Sequence, residues 1–453
     1  MQAINPATEL PLKNYPDHSD AQLLEAIVQA HQAYQDWKYV SFDERAKHMK
    51  RAAEVLRAEK DAFAKIMTEE MGKPLKDSEA EVEKCAWVCE YYAEHAAEFL
   101  KDEIIPTDAA KSYVSYRPLG IVLAIMPWNY PFWQVFRFAA PGLMAGNAAI
   151  LKHAPNVPGC AEAIESVFKK AGFPKYLFTN LFITNEQTSK VIEHRHVKAV
   201  TLTGSTRAGK SVAAQAGALL KKCVLELGGS DPYIVLEDAD LDLAVRTTVA
   251  SRLKNNGQSC ISAKRFIVPE SIKEDFEQKL IVEMKSYTMG DPLAEETDLG
   301  PLVGKKYREQ LADQVKRSID AGAKCILGGE VPDMTGYYYP PTILTNVKKG
   351  MPAYEEELFG PVASVITVKD EAEALAVAND TSYGLGGAIF SKDEARAEQL
   401  AATRLEAGSC FVNAMVQSDP RLPFGGINES GFGRELSHHG IKEFVNAKTV
   451  YVK

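Results

Sequence analysis

The sequence predicts an α/β fold built on two parallel, doubly wound sheets. Short β-branched runs alternate with helical stretches between Pro131 and about Ile267, and a second alternating stretch runs from Pro232 to about Asn413. Strands separated by helices of about 10–15 residues read as βαβ units, whose crossovers make neighbouring strands parallel. The length of 453 residues supports this, since about 150 residues per domain gives roughly two or three domains.

Taken in order, the chain opens with helices. From Ser19 to about Leu100 apolar residues recur at three and four spacings, as in Leu23, Leu24, Ile27 and Val28, then Ala52, Val55 and Leu56, then Val82, Cys85, Val88, Cys89 and Tyr92. Ser19 and Ser41 stand where N-caps are expected. Cys85 and Cys89 share one helical face and read as core packing. After Pro106 the segment Lys111 to Met126 first alternates and then becomes wholly apolar, as a strand does on passing from an exposed edge into a buried sheet. AAILK, a helix to Lys170, LFTNLFIT, VKAVTLT, a helix from Ala208 and CVLELGG follow, then PYIVLE, KRFIVP, PVASVITV and GAIFS between further helices. Parallel sheets bind ligands beyond the carboxyl ends of their strands, so a cleft between the two layers is the expected site.

Composition narrows the function classes. With 61 acidic and 52 basic side chains the net charge is -9, which leaves no polybasic footprint for nucleic acid or an anionic membrane. The seven cysteines are scattered without a C-x-x-C pair, so neither a disulfide framework nor a metal site is signalled and a reducing compartment is expected. The start, MQAINPATEL, lacks a basic region followed by an apolar stretch, and no apolar run approaches the roughly 20 residues of a spanning helix. A cytoplasmic location is the expectation.

GSTRAGKS, Gly204 to Ser211, satisfies the phosphate-loop pattern G-x-x-x-x-G-K-[ST] after the strand-like VKAVTLT, with YIVLED and its Asp238 as a candidate Walker-B partner. Backbone N–H groups at a helix start accept phosphate in this loop and in dinucleotide sites alike, so the segment alone leaves both open. NNGQSC places Cys260 in a polar stretch, where it is either a small buried hydrophobe or a nucleophile. LELGG ends a strand-like run with Glu226 followed by Leu227 and two glycines. PWNYP stiffens a loop with two prolines and holds the amide of Asn129 in one orientation. EELFGPV and PFGGINESGFGRE add Gly/Pro loops whose separate signals are weak.

PWNYP, LTGST, LELGG, GQSC, EELFGPV and PFGG in this order closely resemble the aldehyde dehydrogenase superfamily, from NPAT at Asn5–Thr8 to TVYV at Thr449–Val452. The resemblance demotes the phosphate-loop reading, since that family uses the Gly204 turn in a Rossmann-type dinucleotide site. It implies Cys260 as nucleophile, Asn129 with the Cys260 N–H as oxyanion donors and Glu226 as the base that activates water on the thioester. For NAD or NADP it implies Trp128 and the strand-end residues Lys152, His153, Ala154 and Pro155 on the adenosine side, Gly204 and Ser205 at the pyrophosphate, Leu227 at the carboxamide, and Glu357 with Phe359 at the nicotinamide ribose and ring. Many NAD-preferring members carry an acid where this chain has Pro155. Its absence leaves NADP allowed, with Lys152 and His153 as cations that suit a 2′-phosphate, and the preference between NAD and NADP stays open.

Members acting on succinic semialdehyde carry arginines at the positions of Arg137 and Lys254, and Ser418 matches a region that also touches the substrate carboxylate. Lysine at 254 forgoes the bidentate fork. Ser262, two residues after Cys260, removes the second cysteine of a redox switch. A CoA-acylating dehydrogenase is the competing enzyme reading, disfavoured by Glu226; a P-loop ATPase is the competing class. The resemblance further implies a cofactor domain of residues 1–103 and 125–228, a catalytic domain of 229–430, and a β arm of 104–124 with 431–453. The exposed edge of such an arm implies a homodimer or homotetramer.

Overall fold

The computed structural model describes residues 1–453. Four helices, Asp20–Trp37, Phe42–Ala58, Lys60–Met71 and Leu75–Phe99, fill the N-terminal part as the periodicity requires. Ser19 accepts from the Gln22 N–H and Ser41 from the Glu44 N–H, so both serines cap their helices. Cys85 and Cys89 are fully buried in the core.

A six-stranded sheet follows, with strand order Gly431–Phe432, Lys222–Glu226, Val197–Thr203, Ile121–Met126, Ala148–His153 and Phe178–Asn180. All its pairings are parallel except that of Gly431–Phe432, which runs antiparallel against Glu226 and Leu225. The central strand Ile121–Met126 has only one residue that is not buried, which explains its unbroken apolar run.

The second sheet has seven strands in the order Lys324–Leu327, Thr342–Thr345, Val362–Val368, Arg265–Pro269, Pro232–Val235, Gly386–Phe390 and Ser409–Val412. Only its first pair is antiparallel. Alternate residues divide its faces: Ile234, Ile267, Ile366 and Ile389 enter one apolar core, while Tyr233, Phe266, Val365 and Phe390 enter the other. Strands Lys324–Leu327, Thr342–Thr345 and Ser409–Val412 escaped the sequence reading because each has four residues and little pattern.

The alternating segment Lys111–Pro118 lies in a separate three-stranded antiparallel sheet between Val445–Val452 and Glu103–Ile104. This sheet is narrower than the expected arm. Residues 121–124 already belong to the central strand of the six-stranded sheet, Gly431–Phe432 forms its edge, and the helix Ser437–Lys442 packs on Leu75–Phe99 and Trp133–Met144. Apolar anchoring explains the shift: Leu436, Ile441 and Phe444 are buried in the same core as the first sheet.

Candidate active site

The segment before Cys260 is an unusual turn. The helix Leu241–Leu253 stops, and Asn255, Asn256 and Gly257 then take left-handed backbone angles, with φ of 54°, 57° and 74°. Asparagine tolerates this region better than most residues because its short amide bonds locally. Here Asn255 Nδ2 donates to the carbonyls of Asn129 and Gln258, and Asn256 Nδ2 donates to those of Gly72 and Pro301. Gly257 has no alternative, since a Cβ would stand 2.3 Å from the carbonyl carbon and oxygen of Gly360. The two prolines of PWNYP and these two asparagines thus tie three parts of the chain into one rigid corner.

Cys260 emerges from that corner between two cavities. One is a cleft of about 680 Å³ and the other a smaller chamber of about 120 Å³, and Cys260 lines both. Burial pushes its thiol up to about 12, while the charges of Lys264 and Arg137 pull it back. Lys264 is itself buried and donates to the carbonyls of Ser259 and Cys260. The main-chain N–H of Cys260 makes no hydrogen bond within the protein. Asn129 Nδ2 donates one hydrogen to the Gln258 carbonyl at 3.0 Å, and its Oδ1 accepts from Gln134 Nε2 at 3.1 Å. The second amide hydrogen and the Cys260 N–H are therefore free donors beside the sulfur, the arrangement needed to receive a developing oxyanion.

Glu226 lies at the end of its strand but its carboxylate lines neither cavity. Both its oxygens are buried without hydrogen-bond partners, and Glu435 and Arg137 are its charged neighbours. Burial and then the like charge of Glu435 hold its pKa well above the carboxylate range. The raised pKa favours the protonated form of this carboxyl in its buried position.

The larger cleft runs over the carboxyl ends of the first sheet and brings together Trp128, Gly204, Ser205, Leu227, Glu357 and Phe359. The phosphate-loop reading fails here. The helix begins at Thr206, directly after its N-cap Ser205, so Gly209 and Lys210 lie within the helix and not in a loop that wraps a phosphate. Lys210 pairs with Glu429 at 2.6 Å on the surface. Asp238 belongs to the other sheet's loops, where it accepts from Ser391 and from the N–H groups of Lys392 and Asp393.

Lys152 and His153 end the strand Ala148–His153 beside Ile121–Met126, Ala154 and Pro155 follow it, and all four lie outside the residues lining the cleft. Lys152 is buried with no carboxylate partner. His153 does not fit the expected role as a cation: one ring nitrogen meets the Pro131 carbonyl at 2.9 Å and the other accepts from the Ala154 N–H at 2.8 Å. Burial lowers it to about 4, so it is neutral at physiological pH.

The smaller chamber gathers Arg137, Lys254 and Ser418 with Cys260, as expected of a substrate pocket. Arg137, however, is not a free clamp. Its guanidinium is ion-paired with Glu435, lies 4.6 Å from the Phe424 ring centroid and donates to Thr203 Oγ1 at 3.3 Å. Lys84, a residue the sequence reading passed over, lines the same chamber. The only signal for it was a lysine set within the apolar-faced run Val82 to Cys89.

A cleft of about 680 Å³ over the ends of a parallel sheet, with Cys260 shared between it and a second chamber, is the setting of a nucleotide-dependent enzyme. The chain belongs to the aldehyde dehydrogenase family, whose model matches residues 1–450. It is 47% identical over 449 residues to an NAD(P)+ succinate semialdehyde dehydrogenase of Escherichia coli, covering 99% of this chain and 97% of that one. An NADP(+) succinate-semialdehyde dehydrogenase of Mycobacterium tuberculosis is 47% identical over 454 residues, covering 99% of each chain. The solved structure of succinic semialdehyde dehydrogenase from Streptococcus pyogenes in complex with NADP+ superposes with a TM-score of 0.98 at 41% identity, covering 100% of this chain and 99% of that chain.

Proposed function

We propose that this protein oxidises succinic semialdehyde, or a similar short ω-carboxy aldehyde, to the dicarboxylic acid with NADP or NAD as oxidant. The observation that carries the reading is the position of Cys260, shared between a cleft large enough for a dinucleotide and a chamber lined by Lys84, Arg137 and Lys254. The residues fit the cofactor: Gly204 and Ser205 open a helix whose N-terminus favours phosphate, and Glu357 and Phe359 face the same cleft as Cys260. Lys152, unpaired and with Pro155 where an acid would repel a 2′-phosphate, supports NADP, as do the printed names of the relatives. The bound dinucleotide supplies the hydride acceptor.

The protein's own residues do the rest. Cys260 gives its proton to solvent water as its sulfur bonds to the aldehyde carbon, and the oxyanion accepts from Asn129 and the Cys260 N–H. Collapse of that oxyanion expels hydride and leaves a thioester. Glu226 in its ionised form takes a proton from the water that attacks the thioester and passes it to the departing Cys260 sulfur, so the acid leaves with the thiol restored. The presence of Glu226, an acid able to serve as a base toward water, favours water over CoA as the acyl acceptor.

The outer strand Val445–Val452 of the three-stranded sheet and the outer strand Ser409–Val412 of the seven-stranded sheet both leave one edge unpaired. Such edges support a homodimer or homotetramer, tested by sedimentation at micromolar concentration. Seven free thiols support a reducing, cytoplasmic setting, and no helix is long and apolar enough to cross a membrane. Steady-state rates for NAD and NADP against succinic semialdehyde and butanal test the reading. A preference of 10-fold or more for the carboxylated aldehyde is expected; equal rates would overturn the substrate assignment.

A further inference from the structure

The substrate pocket contains a cation without a counter-ion. Lys84 projects from the helix Leu75–Phe99 into the chamber that ends at Cys260, and it makes no ion pair with any carboxylate. Its Nζ donates to Ser418 Oγ at 2.9 Å and lies 4.4 Å from the centroid of the Trp133 ring. Ser418 Oγ also accepts from Trp133 Nε1 at 3.0 Å. With two donors occupying its lone pairs, the hydroxyl has its own hydrogen left to give. An ammonium and a hydroxyl hydrogen therefore converge on one point of the chamber.

The other charged groups around it, Lys254 apart, are already engaged. Arg137 is held by Glu435. Glu81, one turn before Lys84, accepts from the N–H groups of Phe132 and Trp133 and pairs with Lys73. Asp77 accepts from the Asn255 N–H, and Asp419 is clamped by Arg421 at 2.7 Å. Lys254, at the chamber's rim, makes no ion pair and adds a second positive charge. A half-buried, partly desolvated charge with no counter-ion is costly to keep, and a ligand anion lowers that cost.

We propose that Lys84, beside the Ser418 hydroxyl, is a further binding group for the carboxylate of the substrate. This inference rests on the ω-carboxy aldehyde reading and names the atoms behind it. Burial, with Lys254 and then Arg137 as like charges, lowers Lys84 to about 8. Glu81 and Cys85 oppose this, and Asp419 also faces it. The site thus loses its charge as pH rises through about 8, and affinity for a carboxylate falls with it.

The experiment uses the full-length enzyme and its Lys84→Met and Lys84→Arg variants. Two readouts are taken: kcat and KM for succinic semialdehyde and for butanal from pH 6.5 to 9.5, and calorimetric binding of succinate, which needs no turnover. A charge-assisted hydrogen bond predicts that Lys84→Met lowers kcat/KM for the semialdehyde about 10- to 100-fold more than for butanal, mainly through KM, with succinate affinity falling alike. Lys84→Arg is expected to recover most of this loss. The rise in semialdehyde KM above about pH 8 is expected in wild type and absent in Lys84→Arg. Equal losses for the two aldehydes, or a KM rise that persists in Lys84→Arg, would overturn the assignment. Absence of dehydrogenase turnover with Lys84-dependent succinate binding would sink the proposed reaction and leave the site standing. Full activity on the semialdehyde in Lys84→Met would do the reverse.

Discussion

The side-chain amide of Asn129 donates to the main-chain carbonyl of Gln258 at 3.0 Å. Gln258 precedes Cys260 by two residues, so this bond ties the amide to the segment that carries the proposed nucleophile and leaves its second N–H without a partner in the protein. Removing the amide with Asn129→Ala is expected to lower kcat by about 10²–10³-fold, the usual effect of losing one such donor. Stopped-flow rates of reduced-cofactor formation measure it, and a loss below about threefold would contradict the role.

Glu226 and Glu435 are buried against each other, and the pair raises the pKa of Glu226. A carboxyl group with a raised pKa stays protonated until the pH passes that value, and only then acts as a base. Thioester hydrolysis is therefore expected to speed up as pH rises through the raised value. Glu435→Gln removes the like charge and frees Arg137 to favour the Glu226 carboxylate, so this limb of the pH–rate profile is expected to move to lower pH. A shift to higher pH would refute the electrostatic origin of the limb.

Glu226→Gln provides a separate check of the second half-reaction. One equivalent of reduced cofactor per active site is expected, followed by a steady state slower by about 10²–10⁴-fold, and mass spectrometry should find the acyl group on Cys260. Normal turnover in the absence of added thiol would show that another group activates the water.

Gly257 holds the corner that presents the nucleophile. Gly257→Ala places a side chain in a left-handed conformation, costing about 1–2 kcal/mol, and drives its Cβ into Gly360, costing about 1–3 kcal/mol more. A lower thermal inactivation midpoint with a parallel loss of activity is expected. An unchanged midpoint would show that the turn is not strained by a Cβ.

Lys152 is a buried cation without a carboxylate partner at the end of the strand Ala148–His153. Lys152→Met is expected to raise KM for NADP by about 10-fold or more while changing KM for NAD much less, since a charge-assisted bond to a 2′-phosphate is lost. Equal changes for the two cofactors would place Lys152 elsewhere in function.

Local physics made much of this molecule readable. Ser19 and Ser41 cap helices because side-chain oxygens meet N–H groups three residues on, a relation confined to one turn of chain. The change from alternating to continuous apolar residues at Pro118 marks where the chain leaves a two-faced sheet for a buried one. Contacts between distant segments left no such mark. Arg137 and Glu435 are almost 300 residues apart, and Lys84 and Ser418 are separated by 334. The sequence could present Arg137 as a clamp because nothing near it announced Glu435. GSTRAGKS misled for the converse reason: its pattern is local, but whether its glycines form a loop or a helix depends on where the strand before it ends.

The central claim is that Cys260 bonds covalently to the substrate carbonyl. The direct measurement is rapid-mixing absorbance of reduced cofactor with Cys260→Ala, paired with intact-mass analysis and circular dichroism to verify folding. The account predicts no burst, no steady-state turnover and no acyl adduct from a folded variant. Continued formation of reduced cofactor by that folded variant would contradict it.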